Sequence, residues 1–249
     1  MLIGETMKEV KVIIIAGQSN ALGISPVRDL PKEKKKEYKT KIYFDTNTFH
    51  PFAKQWMNVR TGFGHAKDEL FGLELPVAAC FENLEDEYAI IKYASDGTCL
   101  YDKWSKAKNG DDWVGLAQTI ETAVSELKAQ GKKVVFEGLL WQQGCSDAIK
   151  EEKAMSYEEN LKTFIYAIRA LTSKDMPIAI GSVHPQHPIM KYAVQVRNAQ
   201  KNVSEALENV YFVLTDGIEE TVDTWHYTAD CEWTLGERLL DAIMEKRNK

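Results

Sequence analysis

The chain has 249 residues, a formal net charge of −6 and 44% hydrophobic residues. That is enough apolar material for a sizeable core, and the length suits one large domain or two small ones. Charges of both signs are mixed along the chain, so it carries no basic footprint for nucleic acid or for an anionic membrane.

Residues 1–7 hold one acid, Glu5, and no apolar h-region, so no signal peptide and no membrane-length segment is visible. A cytoplasmic location is the expectation, unless an export signal has been trimmed away. Cys80, Cys99, Cys145 and Cys231 are scattered without a Cys-x-x-Cys pair, which points to reduced thiols rather than to bridges or a zinc site.

In chain order, residues 12–16 form a short, β-branched apolar run, the pattern of a strand buried on both faces. Gly17 ends it and permits a sharp turn, so Ser19 follows directly beyond a strand end. Residues 21–25 begin a helix or a loop before Pro26, and residues 32–41 read as a solvated, mostly basic face. Residues 42–45 fit a minor strand, and residues 46–71 show no period and read as an irregular excursion over the sheet.

From Pro76 the pattern becomes regular. Helices are expected at residues 76–84, 116–130, 157–171, 189–207 and 233–245, with Gly131 closing the second of them. Strands are expected at residues 88–94, 134–141, 177–183 and 210–214. No repeat or linker interrupts the pattern, so residues 1–249 are read as a single domain. Five strands alternating with helices predict a parallel sheet covered on both faces, with ligands gathered at the carboxyl ends of the strands.

Those ends carry the chemistry. Ser19 fits either a helix cap or a nucleophile. A nucleophilic hydroxyl needs a base, and the base an orienting acid; Asp223-Thr224-Trp225-His226 supplies both. Taken alone that pair is a weak signal and reads first as a solvated surface pair. An oxyanion needs donors, and the Ser19 amide, the Gly97 amide and the Gln143 side chain are the candidates. Gly97 also suits an ordinary turn, and Gln143 a partner for loop carbonyls. Their joint occurrence at successive strand ends is what favours chemistry over those separate structural roles.

With these blocks the chain resembles the SGNH (GDSL-type) hydrolase superfamily. Within it, it is similar to the sialate O-acetylesterase and carbohydrate esterase family 6 acetylxylan-esterase branch. Gly17-Gln18-Ser19-Asn20 matches the nucleophile block, and Asp96-Gly97-Thr98 with Asp102-Lys103-Trp104 resembles the G-G-T…W block. Trp141-Gln142-Gln143-Gly144 matches W-x-Q-G, and Asp223 to His226 followed by Leu235-Gly236 resembles D-x-x-H with its trailing helix.

The resemblance implies a three-layer α/β/α, flavodoxin-like sandwich around a five-stranded parallel sheet. It also implies a serine esterase acting on O-acetyl esters of carbohydrates such as xylan or sialic acid. Ser19 would be the nucleophile, His226 the base and Asp223 its acid, with Ser19, Gly97 and Gln143 as the oxyanion hole. Gln18, Asn20, Asp96 and Trp225, beside these blocks, are the expected substrate contacts. No cofactor or metal is required, the partner is a small or oligosaccharide ester, and no feature sets an oligomeric state.

Two departures stand out. Cys145 occupies the place where the branch usually has Glu, and Asp96 stands where many members have Gly. The first also suits an inert carbohydrate-binding protein that keeps the fold. His184 and His187, with Asp223 or His226, suggest a metal site as a further rival, although two His beside two Pro are commonly loop residues. Trp104 and Trp141 are expected in the core.

Overall fold

The computed structural model describes residues 7–65, 69–184, 187–218 and 220–247. The reading of the N-terminus therefore falls, for residues 1–6, outside the described residues. Strand β1 (Lys8–Gly17) runs through the middle of the sheet, and its alternation sorts the core into two. Val10, Val12, Ile14 and Ala16 join one apolar cluster, and Ile13 and Ile15 join the other. Burial on both faces is the reason this run is apolar without interruption.

The chain continues through α1 (Ser19–Leu22), β2 (Ser25–Pro26), β3 (Lys41–Asp45), β4 (Trp56–Asn58), β5 (Leu70–Phe71) and α2 (Glu74–Phe81). There follow β6 (Tyr88–Ala94), α3 (Asp111–Ala129), β7 (Lys132–Gln142), α4 (Glu151–Met155) and α5 (Tyr157–Leu171). The last elements are β8 (Ile178–Gly181), α6 (Ala193–Ala206), β9 (Val210–Val213) and α7 (Ala229–Arg247). Side chains of α3, α5 and α6, among them Leu116, Phe164 and Val196, pack on the Val12 and Ile14 face. Those of α1, α2 and α7, among them Leu22, Phe81 and Leu239, pack on the Ile13 and Ile15 face.

The sheet has seven strands in the order β4-β3-β6-β1-β7-β8-β9, and β2 pairs with β5 in a separate small ribbon. Six strands are parallel, and β4 runs antiparallel along β3 at one edge. This corrects the expectation of a five-stranded parallel sheet. The minor strand at residues 41–45 is fully paired with β6, and Ile42, Tyr43 and Phe44 are buried. β4 was illegible because three half-buried residues show no period; what holds it is the pairing of Trp56 with Tyr43, whose rings meet edge to face at 5.5 Å.

β1 lies between β6 and β7, and the chain leaves it toward one edge and later returns to build the other. Such a switch point opens a crevice at the carboxyl ends of the strands. Lys92 secures the ground beneath it. This fully buried lysine on β6 donates to the Leu22 carbonyl at the end of α1 (2.7 Å), the Phe63 carbonyl (3.0 Å) and the Glu74 carboxylate. Burial, and after it the Glu74 charge, push the carboxyl of nearby, fully buried Glu232 well above its usual range, against the pull of Lys92.

Trp104 and Trp141 are fully buried and meet edge to face at 5.1 Å, so they pack the core. All four cysteines are free. Among the described residues no helix is long and apolar enough to cross a membrane.

Candidate active site

Ser19 is placed by the turn that ends β1. Gly17 has φ +145°, and a Cβ there would lie 2.1 Å from the Gln142 carbonyl oxygen, so only glycine permits this approach. The Gln18 amide donates to that same carbonyl at 3.0 Å, and α1 begins at Ser19. Gln18 is the residue at the cap position, and no side chain caps the helix, so Ser19 does not serve as the cap. It lines a cleft together with Gln18, Asp96, Gly97, Trp225 and His226. Residues from both ends of the chain thus share one space.

The second half of the cleft is the loop between an isolated bridge, Thr221 with Tyr227. Asp223 organises it. Its Oδ1 accepts from the Trp225 amide (2.7 Å) and the His226 amide (2.8 Å), while Oδ2 lies 2.6 Å from His226 Nδ1. With Nδ1 held by the carboxylate, Nε2 is the nitrogen left for the cleft. Burial opposes the Asp223 charge, but the hydrogen bonds from the His226 ring and the two amides outweigh it and hold the carboxyl below its usual range.

This loop is tied to α1 by Asn20. Its Nδ2 donates to the Trp225 carbonyl (3.2 Å) and its Oδ1 accepts from the Tyr227 amide (3.4 Å); the Ser25 hydroxyl adds a bond to the Tyr227 carbonyl (2.8 Å). Asn20 was expected to touch substrate. Instead both ends of its carboxamide are used within the protein, and it faces a neighbouring cavity rather than the Ser19 cleft. Its role is to set a loop more than 200 residues away against the serine.

Gly97, with φ +66°, sits on the turn after β6, where a Cβ would meet nothing within 4 Å. The turn is fixed from behind: the Ser95 amide donates to the Gly17 carbonyl (3.1 Å), and Trp104 Nε1 donates to the Thr98 hydroxyl (2.8 Å). Gln143 is placed differently from the expectation. It is buried and does not line the cleft; its Nε2 donates to Asp147 Oδ2 (2.7 Å) and the Thr98 carbonyl (3.1 Å), and its Oε1 accepts from Tyr157 (3.1 Å). The amide hydrogens proposed for an oxyanion are already spent inside the protein.

Asp147 is the support that the sequence reading passed over. Fully buried, it also accepts from the Leu100 (2.8 Å) and Tyr101 (3.0 Å) amides and so joins the Gly97 turn to the Gln143 loop. A carboxylate four residues after Gln143, at the end of a Gly-containing turn, was the available signal. Burial pushes its carboxyl up to about 6, against the hydrogen bonds from Gln143, Leu100 and Tyr101.

An unfolded Asp titrates near about 3.9. Between that value and about 6 the folded chain keeps a proton that the unfolded chain has lost. Stability therefore falls as pH rises through this window and is level above it. Asp147→Asn removes the slope, so the wild type's stability relative to the variant should drop by about 2–3 kcal/mol between about pH 4 and pH 7. Urea unfolding at both values checks this; parallel changes in the two proteins would clear Asp147 as the source.

Cys145 lines the neighbouring cavity with His184, His187, Met190 and Trp225. Burial pushes its thiol up to about 12, so it is a neutral group there. His187 lies against Trp225 with ring centroids 4.3 Å apart and planes tilted by 33°, and its Nε2 lies 2.7 Å from the Thr224 carbonyl. Among the described residues no group of three or more His, Cys, Asp or Glu is placed to hold a metal ion.

A mostly parallel sheet between helical layers, with Ser19 beyond its central strand and an Asp–His loop facing it, defines a protein of the SGNH, or GDSL-type, hydrolase class. The chain belongs to the family described as carbohydrate esterase, sialic acid-specific acetylesterase, which matches residues 9–245. No curated protein matches it in sequence.

Among solved structures it is similar in fold to a protein of Arabidopsis thaliana, at 21% identity and TM-score 0.76, over 94% of this chain and 98% of that one. NanS matches at 14% identity and TM-score 0.72, over 98% of this chain and 100% of the other. A carbohydrate acetylesterase from Xanthomonas citri matches at 17% identity and TM-score 0.62, over 94% of this chain and 55% of that one. At these identities the likeness is one of fold.

Proposed function

We propose that the protein is a serine esterase that removes O-acetyl groups from carbohydrates. The observation that carries this reading is the Asp223–His226 pair, held at 2.6 Å, facing the cleft that Ser19 lines. The Ser19 hydroxyl attacks the acetyl carbonyl while His226 Nε2 takes its proton. Backbone amides of Ser19 and Gly97 face the oxygen on which negative charge develops. His226 then protonates the departing sugar oxygen, leaving an acetyl-Ser19 ester. Water, deprotonated by the same imidazole, attacks that ester and releases acetate and Ser19.

Trp225 offers the cleft a flat apolar wall for a sugar ring, and Asp96 adds a polar group at the same cleft. Acetylated xylan and O-acetylated sialic acids are the substrate types proposed. Acetate release, measured across acetylated xylan, O-acetyl sialic acid and small acetylated sugars, tests the reading. Turnover of at least one of them is expected. A protein that binds these sugars and releases acetate from none of them, nor from a fluorogenic acetyl ester, would be a binding protein instead.

A further inference from the structure

We propose that the Gln18 side-chain amide is the third oxyanion donor of the cleft, in the place expected for Gln143. This rests on the esterase reading above. The inference follows from which way each carboxamide must point.

For Gln143 the direction is set by its partners. Its Nε2 gives its two hydrogens to the Thr98 carbonyl and the Asp147 carboxylate, and its Oε1 meets the Tyr157 hydroxyl. Rotating the amide by half a turn would set its oxygen against a carbonyl and a carboxylate. Freeing the NH₂ for an oxyanion would break a buried bond to a charged acceptor, the kind most costly to lose.

For Gln18 the direction is set by two backbone donors. Its Oε1 accepts from the Gly144 amide (3.1 Å) and the Ser146 amide (3.3 Å), while Gln143 Nε2, whose hydrogens go to Asp147 and Thr98, lies 3.4 Å away. A flipped Gln18 would present NH₂ to two backbone N–H groups, so this orientation too is unambiguous. The oxygen is thus turned into the protein, and the NH₂ is the end left over. Among the described residues it has no acceptor, while Gln18 lines the cleft beside Ser19, Gly97 and His226.

The result is a relay of positioning groups. Asp147 fixes Gln143 against the Gln18 carboxamide, the Gly144 and Ser146 amides hold the Gln18 oxygen, and the Gln18 NH₂ is presented to the cleft already oriented. Orientation before reaction is what gives an oxyanion donor its effect, since no reorganisation is needed when charge develops. Gln18 is also one residue from the nucleophile, with its backbone fixed to the Gln142 carbonyl at 3.0 Å. Asp147 and Gln143 act through Gln18 and touch no reacting atom.

The test is a comparison of Gln18→Ala, Gln18→Glu and Gln143→Met on an acetyl ester that the wild type turns over. Gln18→Glu keeps an acceptor for the Gly144 and Ser146 amides and replaces the donor with an anionic acceptor. Both Gln18 variants should lose about 10²–10³ in kcat with KM little changed, the mark of a donor aimed at transition-state charge. Phosphonylation of Ser19 by an organophosphonate, which also passes through a charged oxygen, should slow in parallel. Melting curves for Gln18→Glu should stay close to wild type.

A raised KM with unchanged kcat in both Gln18 variants would make Gln18 an ordinary sugar contact and overturn the proposal. So would full activity in Gln18→Ala alongside a 10²-fold or larger loss in Gln143→Met, which would return the donor role to Gln143. Hydrolysis that survives Ser19→Ala overturns the esterase reading and this proposal together. Ser19-dependent hydrolysis with unaffected Gln18 variants overturns this proposal alone.

Discussion

Ser19→Ala should abolish ester hydrolysis and leave the fold intact. Among the described residues the Ser19 hydroxyl has no hydrogen-bond partner, so its removal strands no buried donor or acceptor. The side chain faces the cleft, and trimming it opens no closed cavity in the core. Stability should stay within about 0.5 kcal/mol of wild type, as for substitutions away from packed or paired groups. The fall in kcat should be of the order seen when a serine hydrolase loses its nucleophile, about 10⁶-fold. An organophosphonate should label the wild type at Ser19 and at no other serine. Turnover at more than trace levels in Ser19→Ala, with an unchanged melting curve, would remove Ser19 as the nucleophile.

Asp223→Asn should be the second most damaging change, costing up to about 10⁴ in kcat. The loop should survive it, because Asn keeps an Oδ1 for the Trp225 and His226 amides that now sit 2.7 and 2.8 Å from Asp223. What changes is the partner of His226 Nδ1. An NH₂ in place of Oδ2 makes Nδ1 an acceptor and moves the ring proton to Nε2, the nitrogen that must take the Ser19 proton. The imidazole is then in the wrong tautomer for a base.

Cys145→Ser should be nearly silent by comparison. Position 145 lines the cavity with His184 and Met190 rather than the cleft with His226. Its thiol is neutral, so it has no charge to contribute. Steady-state kinetics of the two variants decide the matter: a silent Asp223→Asn beside an inactive Cys145→Ser would reverse the assignment of the acid.

Much of this protein is written locally. The run at residues 88–94 and the helix at 157–171 occupy those same residues in the structure, because strand and helix each impose a period that burial makes visible. The turn at Gly17 was legible for a similar reason, since an apolar strand ending in glycine before a serine leaves few alternatives. Helix α3 begins at Asp111 rather than at residue 116 because its first turn opens with two acids, which suit a helix N-terminus yet fall outside the apolar period.

Other features exist only once the chain has folded. β4 has no pattern of its own and becomes a strand through β3. Lys92, in the middle of an apolar strand, gains its meaning from Glu74 and from carbonyls at residues 22 and 63. Asn20 reads as part of a nucleophile block, and only the approach of Trp225 and Tyr227 turns it into a clamp.

The exchange of roles between Gln18 and Gln143 is the plainest case. Both are glutamines beside strand ends, with the same donors and acceptors on offer. The sequence alone determined that two carboxamides would stand near Ser19. Which of them presents its NH₂ to the cleft was decided by tertiary contacts, because an amide has two unlike ends. Asp147 and the Thr98 carbonyl take the NH₂ end of Gln143, while the Gly144 and Ser146 amides take the oxygen end of Gln18. A periodic pattern records burial, but the direction of a hydrogen bond depends on partners that only the folded chain brings within reach.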